Sequence, residues 1–312
     1  MYAIDMPTRF RGIARREGVL LEGPAGWAEF SPFLDYDDAE SAAWWRAATT
    51  SARDAWPAPV RGRVPVNCTV PVVTPEHAAR IVAASGCRTA KVKVADPGTS
   101  LADDVDRVAA VREALGPDGH VRVDANGGWG VDEAVEAVRV LDAAASLEYV
   151  EQPCRTVEEL AAVRRRVDVR VAADESIRRA DDPMRVRELE AADVAVLKVQ
   201  PLGGVAACLR IAEQIGLPVV VSSAVESSVG LAAGIALAAA LPDLPHACGL
   251  ATTSLLSGDV VADPLVPVDG SLPVGRVVPD AAALAAVAAD DDTRRRWLAR
   301  VASVRALTEA ER

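Results

Sequence analysis

A recurrence constrains this 312-residue chain more than anything else in it. From Val66 onward, short Val-rich runs alternate with Ala-rich amphipathic stretches. Five successive runs carry a charged residue: Lys91 and Lys93 in TAKVKVAD, Asp124 in VRVDANGGW, Glu151 in LEYVEQP, Asp174 in VRVAADES and Lys198 in AVLKVQP. A carboxylate at the end of an apolar strand is costly to bury unless something positive meets it there. From Lys93 the intervals are 31, 27, 23, 24 and 24 residues, to Asp124, Glu151, Asp174, Lys198 and Ser222. Each step is one strand and one helix, and about eight such units close a barrel. The competing open, doubly wound sheet collects its functional groups at one switch point rather than on five successive strands. The fold class expected is therefore α/β, with a barrel bringing these residues into one ring.

Candidate strands cover residues 66–73, 90–95, 121–125, 147–152, 169–173, 194–199, 218–222 and 247–251. Helices are expected at 75–85, 101–115, 131–144, 156–167, 181–190, 203–215 and 227–241. Thr74-Pro75 and the pair Thr156/Glu159 are helix-start signals, and Gly86, Gly116 and Gly216 sit where helices should end. Residues 1–60 read differently, as a small α+β domain. TRFRGIARREGVLLEGPAGWAEFSPF has period-2 segments broken at Glu17-Gly18 and at Gly23-Pro24, which predicts an antiparallel meander. A helix follows over 37–55, with Trp44 and Trp45 expected in core or inter-domain packing. The Pro-rich segment 56–65 reads as a linker. Three parts are expected: a capping domain over 1–60, the barrel over 61–260, and a tail over 261–312. The tail is irregular to Asp280 and helical over 281–311, and is expected to return to the capping domain and barrel.

Several classes are excluded. The formal net charge is -11, and a nucleic-acid binder needs a basic face; Arg164-Arg165-Arg166 reads as a solvated helix face. Cys68, Cys87, Cys154, Cys208 and Cys248 lack CxxC spacing and read as reduced thiols of a cytoplasmic protein. With only His77, His120 and His246 and no Cys/His cluster, a zinc site is not expected. MYAIDMPTRFRG lacks the apolar core of a signal peptide. The apolar stretch Val219–Leu241 contains Glu226 and four serines, so it is a poor membrane span.

Three carboxylates from neighbouring strands, without thiol or imidazole, suit Mg²⁺, with Mn²⁺ as a substitute. A lysine beside such a cation and beside a second lysine should have a lowered pKa and serve as a base near neutral pH. Lys91 and Lys93, two residues apart on one strand, point to the same face, and Lys198 comes from the far side of the ring. Two opposed lysines across a metal-held substrate suit proton abstraction next to a carboxylate, with the metal stabilising the resulting enediolate. Each motif alone has an ordinary structural use: a solvated KxK, a turn-forming DxN, an Asp-Glu-Ser helix cap. Their joint occurrence at strand ends and at a barrel period carries the argument.

The order KVK, DAN, EQP, DES, LKVQP resembles the enolase superfamily in its muconate-lactonizing-like branch. The resemblance spans essentially the whole chain and implies a small capping domain with a modified (β/α)7β barrel. It implies Asp124, Glu151 and Asp174 as metal ligands, Lys93 as general base with Lys91 as its partner, and Lys198 on the opposite face. Asn126 and Glu175 would support the ligands. The pairing of a lysine base with Mg²⁺ is the superfamily's own chemistry and belongs to the resemblance, not to the spacing. Within the branch, three segments look most like the o-succinylbenzoate synthases, of actinobacterial type: Gly23–Phe33 as a substrate-covering loop, Val220–Gly234 as the seventh strand and its helix, and Gly249–Val261 as the eighth-strand region. That likeness implies a hydro-lyase of menaquinone biosynthesis, dehydrating 2-succinyl-6-hydroxy-2,4-cyclohexadiene-1-carboxylate to o-succinylbenzoate. Lys93 would take the proton and, once protonated, assist departure of the hydroxyl; Lys198 would be a cation over the enediolate and ring. Ser222, Ser223, Gly249 and Thr252 would hold the succinyl group.

An N-succinyl-amino-acid racemase of the same branch is the alternative, with Lys93 and Lys198 as one acid–base group per face. A dipeptide epimerase usually carries Asp-x-Asp in the eighth-strand region, where this chain has Gly249-Leu250-Ala251-Thr252. A catalytically dead barrel acting as a binding protein is opposed by the intact set of ligands and lysines. The partner implied is a small-molecule carboxylate, with no nucleic acid and no membrane insertion. The oligomeric state is left open, with a monomer favoured.

Overall fold

The computed structural model describes residues 1–179 and 182–310. The N-terminal strands β1 (Tyr2–Phe10), β2 (Ile13–Gly23) and β3 (Gly26–Phe30) form an antiparallel sheet in chain order. The break expected at Glu17-Gly18 is absent, and β2 runs straight through it. A Cβ on Gly18 would lie 2.7 Å from the Tyr2 hydroxyl and 2.8 Å from Ser31 Cβ, so this glycine permits close packing rather than a turn. The turn is at Arg11-Gly12, both at positive φ (51° and 78°), as a two-residue hairpin loop requires. Helix α1 (Asp38–Arg53) follows, opened by a capping box between Asp37 and Glu40.

The barrel begins with β4 (Arg63–Val70), so the last residues of the expected linker already belong to a strand. It continues through α2 (Pro75–Ser85), β5 (Thr89–Lys93), α3 (Leu101–Leu115), β6 (His120–Asp124), α4 (Val131–Ala145), β7 (Leu147–Glu151) and α5 (Val157–Arg164). Next come β8 (Val171–Ala173), α6 (Glu175–Arg178), α7 (Arg185–Glu188), β9 (Val194–Leu197), α8 (Val205–Ile215), β10 (Val219–Val221), α9 (Ser228–Ala240) and β11 (Cys248–Ala251). These eight parallel strands lie in the order β10-β9-β8-β7-β6-β5-β4-β11. A parallel bridge between Ser222 and Gly249 closes the ring, with the Ser223 N–H donating to Gly249 O at 2.9 Å. The result is a mixed α/β fold, a parallel (β/α)7β barrel under an antiparallel cap. Of the helix expected over 181–190, the described residues form only the four-residue α7, and another four-residue helix, α6, precedes that range. Pro183 disfavours a helical residue before it; Asp181, the first residue of that expectation, lies outside the described residues.

After β11, β12 (Ser271–Pro273) pairs antiparallel with the start of β4. The single helix expected over 281–311 is two, α10 (Ala281–Ala286) and α11 (Asp291–Ala310), and residue 311 lies outside the described residues. The break has a cause. The chain between them pairs with β1, where Ala3 N–H donates to Val287 O at 2.9 Å, and Asp290 Oδ1 then accepts the Thr293 N–H at 2.8 Å. Helix α11 packs on the cap: Trp297 is buried edge-on against Phe30, its indole N–H donates to Glu17 at 2.9 Å, and Arg300 donates to Phe33 O and Tyr36 O at 2.9 and 2.7 Å. Trp44 is buried edge-on to Phe33 and Tyr36, and Trp45 edge-on to Phe30.

Helix α9 is apolar and buried around its whole circumference because the barrel lies on one side and β3 on the other. Among the described residues, no helix is long and apolar enough to cross a membrane. All five cysteines are buried free thiols.

Candidate active site

Strand register assembles the charged residues. Lys93 pairs with Asp124 across β5 and β6, and Asp124 with Glu151 across β6 and β7, so three charges end adjacent strands in one row. Asp174 follows the end of β8 and Lys198 the end of β9. In the closed order, β5 and β9 are four strands apart of eight, so Lys93 and Lys198 approach from opposite sides. Asp124, Glu151 and Asp174 are all essentially inaccessible to solvent.

Each carboxylate is met by a cation, as its burial demands. Lys91 Nζ is 2.7 and 2.8 Å from the two Glu151 oxygens and 3.3 Å from Asp124 Oδ2. Lys93 Nζ is 2.5 Å from Asp124 Oδ2 and 2.6 Å from Asn126 Oδ1. Lys198 Nζ donates to Asp174 Oδ2 at 2.7 Å. Arg178, which the sequence reading missed, donates through Nε to Asp174 Oδ1 at 2.9 Å and through Nη2 to Glu175 Oε1 at 2.5 Å. Its position four residues after Asp174 on a helix start was the available signal. Gln152 was missed too: its Oε1 accepts the N–H groups of Asp174 (3.0 Å) and Ser176 (3.2 Å), which ties the turn after β8 to β7. Asn126, at φ 47°, joins Lys93 to Glu175 by donating to Glu175 Oε1 at 3.2 Å.

The electrostatics differ from the expectation of mutually depressed lysines. Burial alone would lower the Lys91 ammonium, but Glu151 and Asp124 outweigh it and raise its pKa. Lys91 is the cation of a buried pair, with both Glu151 oxygens on its ammonium. Burial lowers Lys198, and Arg178 and Lys91 add to this against the pull of Asp174. Burial pushes Asp124 and Asp174 up, but their cations prevail and hold both well below the usual carboxylate range; Lys93 acts first on Asp124 and Arg178 first on Asp174. Glu151 is driven upward by burial and then by Asp124, against Lys91. Because both its oxygens contact the Lys91 ammonium, the contact is that of a charged pair.

Above this layer lies a narrow cleft, lined by Lys91, Lys93, Asp124, Asn126, Arg178 and Lys198 from below. Glu151 and Asp174 lie beneath the cations and do not line it. Ser222, Ser223, Gly249 and Thr252 form part of the wall. Ser223 Oγ and Thr252 Oγ1 are 2.6 Å apart, and Ser222 Oγ donates to Gly249 O at 3.4 Å. The segment Gly23–Phe33 is mostly not a covering loop. Gly23 packs on the Ala52 backbone, Glu29 and Phe30 are buried in the cap, and of this segment only Phe33 reaches the cleft. The β1–β2 turn covers the cleft instead, through Phe10 and Arg11, with the Phe10 ring centroid 5.1 Å from Lys93 Nζ. Ala224 and Val225 close the far wall. Val225, a β-branched residue at φ 61°, is strained. Buried Arg16 of the cap holds that loop, donating to Val225 O at 2.9 Å and Ala224 O at 3.2 Å.

Among the described residues, no three carboxylate, imidazole or thiol groups stand as a ready metal cage. The donors are turned onto lysines. Their chemistry nevertheless fits a hard divalent cation: three carboxylates at adjacent strand ends, and beside them the buried Glu175 Oε2, which has no hydrogen-bond partner.

Comparison with known proteins agrees with this architecture. Residues 74–282 match the enolase C-terminal domain-like family and residues 1–52 the enolase N-terminal domain-like family. The chain is 65% identical over 308 residues to an o-succinylbenzoate synthase of Thermobifida fusca, covering 99% of this chain and 96% of that one. It is 58% identical over 306 residues to an o-succinylbenzoate synthase of Mycolicibacterium smegmatis, covering 98% and 94%. A dipeptide epimerase from Enterococcus faecalis, solved with Mg and the dipeptide L-Leu-L-Tyr, has the same fold, with a TM-score of 0.73 at 22% identity over 89% of this chain and 96% of that one.

Proposed function

The chain belongs to the o-succinylbenzoate synthase family of the enolase superfamily, and on that footing we propose how its residues eliminate water from 2-succinyl-6-hydroxy-2,4-cyclohexadiene-1-carboxylate. The enzyme is a lyase, a dehydratase, and the step belongs to menaquinone biosynthesis. One observation supports the assignment of roles most strongly: Lys93 and Lys198, from opposite sides of the barrel, both reach the same cleft directly above the buried carboxylates.

Asp124, Glu151 and Asp174 would hold Mg²⁺, or Mn²⁺ in its place. A bound divalent cation supplies positive charge that offsets the charge developing on the substrate carboxylate and competes with Lys93 for Asp124. Lys93, as the free amine, takes the proton from the carbon alpha to the carboxylate. The electron pair released forms the new ring double bond as the neighbouring C–O bond breaks. Lys93, now an ammonium, returns that proton to the departing hydroxyl, so water leaves and the ring becomes aromatic. Asn126 keeps the Lys93 side chain aimed along the cleft. Lys198 stays opposite as a cation over the ring, and Lys91 holds Glu151 in place. Ser222, Ser223, Gly249 and Thr252 border the succinyl group. The buried free thiols agree with a reducing, cytoplasmic setting.

The racemase reading uses the same two lysines. Assaying both substrates on one preparation with Mg²⁺ decides between them: dehydration should have the higher kcat/KM, and a hundredfold preference for an N-succinyl amino acid would overturn the assignment. Protein that binds no metal and turns over neither substrate would instead be a binding protein.

A further inference from the structure

The cleft is lined by five cations, Arg11, Lys91, Lys93, Arg178 and Lys198, and four of them are committed below it. Lys91, Lys93, Arg178 and Lys198 each contact a buried carboxylate of the strand-end layer at 2.5 to 2.9 Å. Arg11 is different. It sits at the tip of the β1–β2 turn at the outer end of the cleft. Its ionic partner is Asp35 at 3.4 Å, a side chain 59% exposed, and its second contact is the Tyr36 hydroxyl, also at 3.4 Å. An ion pair that long and that wet holds its members weakly. What holds the guanidinium firmly is stacking: its Cζ lies 4.0 Å from the Phe33 ring centroid, on a ring that also carries Arg16 at 4.5 Å. Arg16 is itself tied to backbone carbonyls of the 224–225 loop, so Phe33 is a firm platform. The outcome is a planar donor fork, stacked on Phe33, at the lining of the cleft.

We propose that Arg11 selects the substrate by binding its second carboxylate, the one at the far end of the succinyl arm. This rests on the dehydratase reading of the same site and deepens it. The lysine layer deals with the ring carboxylate, where chemistry occurs. The succinyl carboxylate must end elsewhere in the cleft, and a stacked guanidinium with only a weak, solvated partner meets it without breaking a buried pair. Asp35 is displaced to water at little cost. Serine and threonine hydroxyls on the opposite wall would then contact the arm's ketone rather than its charge.

The test uses two stable probes against the full-length enzyme with Mg²⁺. One is the product, o-succinylbenzoate; the other is 2-butyrylbenzoate, which keeps the ring carboxylate and ketone but lacks the distal carboxylate. Inhibition constants are measured for wild type, Arg11→Gln and Arg11→Lys, with the thermal midpoint checked for each. Arg11→Gln should weaken o-succinylbenzoate at least about tenfold and leave 2-butyrylbenzoate within twofold. Arg11→Lys should fall between, since it keeps charge but loses the fork. Equal weakening of both probes would show that Arg11 only shapes the cleft, and no weakening of either would show that it is solvated; both overturn the proposal. Wild-type dehydration is recorded on the same preparation. If it is present while Arg11→Gln leaves o-succinylbenzoate unaffected, Arg11 alone is wrongly assigned; if it is absent, the dehydratase reading falls and takes this proposal with it.

Discussion

Lys93 and Lys198 stand on strands four apart in an eight-stranded ring, and each ends on a different buried carboxylate: Lys93 Nζ is 2.5 Å from Asp124 Oδ2, and Lys198 Nζ is 2.7 Å from Asp174 Oδ2. A substrate in the cleft therefore meets an amine on either side and acidic oxygens below. This pairing also explains how three carboxylates survive burial without a metal, since each is held by at least one cation. A metal entering the layer must compete with ammonium and guanidinium groups for the same oxygens.

That competition makes Asp174 informative. Asp174→Asn keeps the shape of the side chain and removes one anionic donor. The apparent Mg²⁺ dissociation constant should rise at least about tenfold by calorimetric titration. An unchanged titration on a variant with an unaltered circular dichroism spectrum would remove Asp174 from the metal site.

Glu226, which accepts the Ala224 N–H at 2.7 Å behind the cleft wall, carries a pH effect on stability. Burial, then the neighbouring Glu29, raise its folded-state pKa from 4.5 to about 7. Between those values the folded protein keeps a proton that the unfolded chain has released. The stability tied to this group is thus fully present below about pH 4.5 and is lost as the pH rises through 7, by about 3 kcal/mol in all. Glu226→Gln stays neutral, so urea denaturation at about pH 4.5 and pH 8 should show its stability rising relative to wild type by that order. A pH-independent difference would contradict the shift.

Gly18 predicts a packing cost. A methyl group there meets the Tyr2 ring and hydroxyl and Ser31 Cβ at 2.7 to 2.8 Å. Tyr2 is itself fixed, donating to buried Glu29 at 2.8 Å. Gly18→Ala should cost about 2 kcal/mol in chemical denaturation. A stability equal to wild type would mean that the Tyr2 ring moves freely.

The barrel was legible because its signals are local. A β/α period, capping residues at Thr74 and Thr156, and charged residues closing apolar runs are all written in the sequence within a few positions. The same locality misled the reading of the cap. Gly18 beside Glu17 has the look of a turn, yet its reason is Tyr2, sixteen residues away, packed on its face. The tail helix breaks because residues 287–289 pair with β1 at the other end of the chain, which no local pattern records. The strand-end carboxylates and lysines were findable through their motifs, and Arg178 through its place four residues after Asp174, whereas Gln152 acts across strands, on the N–H groups of Asp174 and Ser176. The direction of the Lys91 shift was missed for a related reason: spacing shows that two lysines share a face, not that a carboxylate two strands away captures one of them. The covering role given to Gly23–Phe33 fell mainly to Phe10 and Arg11, because the β1–β2 hairpin, not the β2–β3 hairpin, points at the barrel mouth.

The account turns on Lys93 moving the proton. The most direct measurement is the dehydration rate of Lys93→Ala against wild type at saturating Mg²⁺, with the product followed by its absorbance and the fold checked by circular dichroism. The account predicts a kcat lower by at least about a thousandfold in a folded, metal-binding protein. Turnover at the wild-type rate in that variant would contradict it.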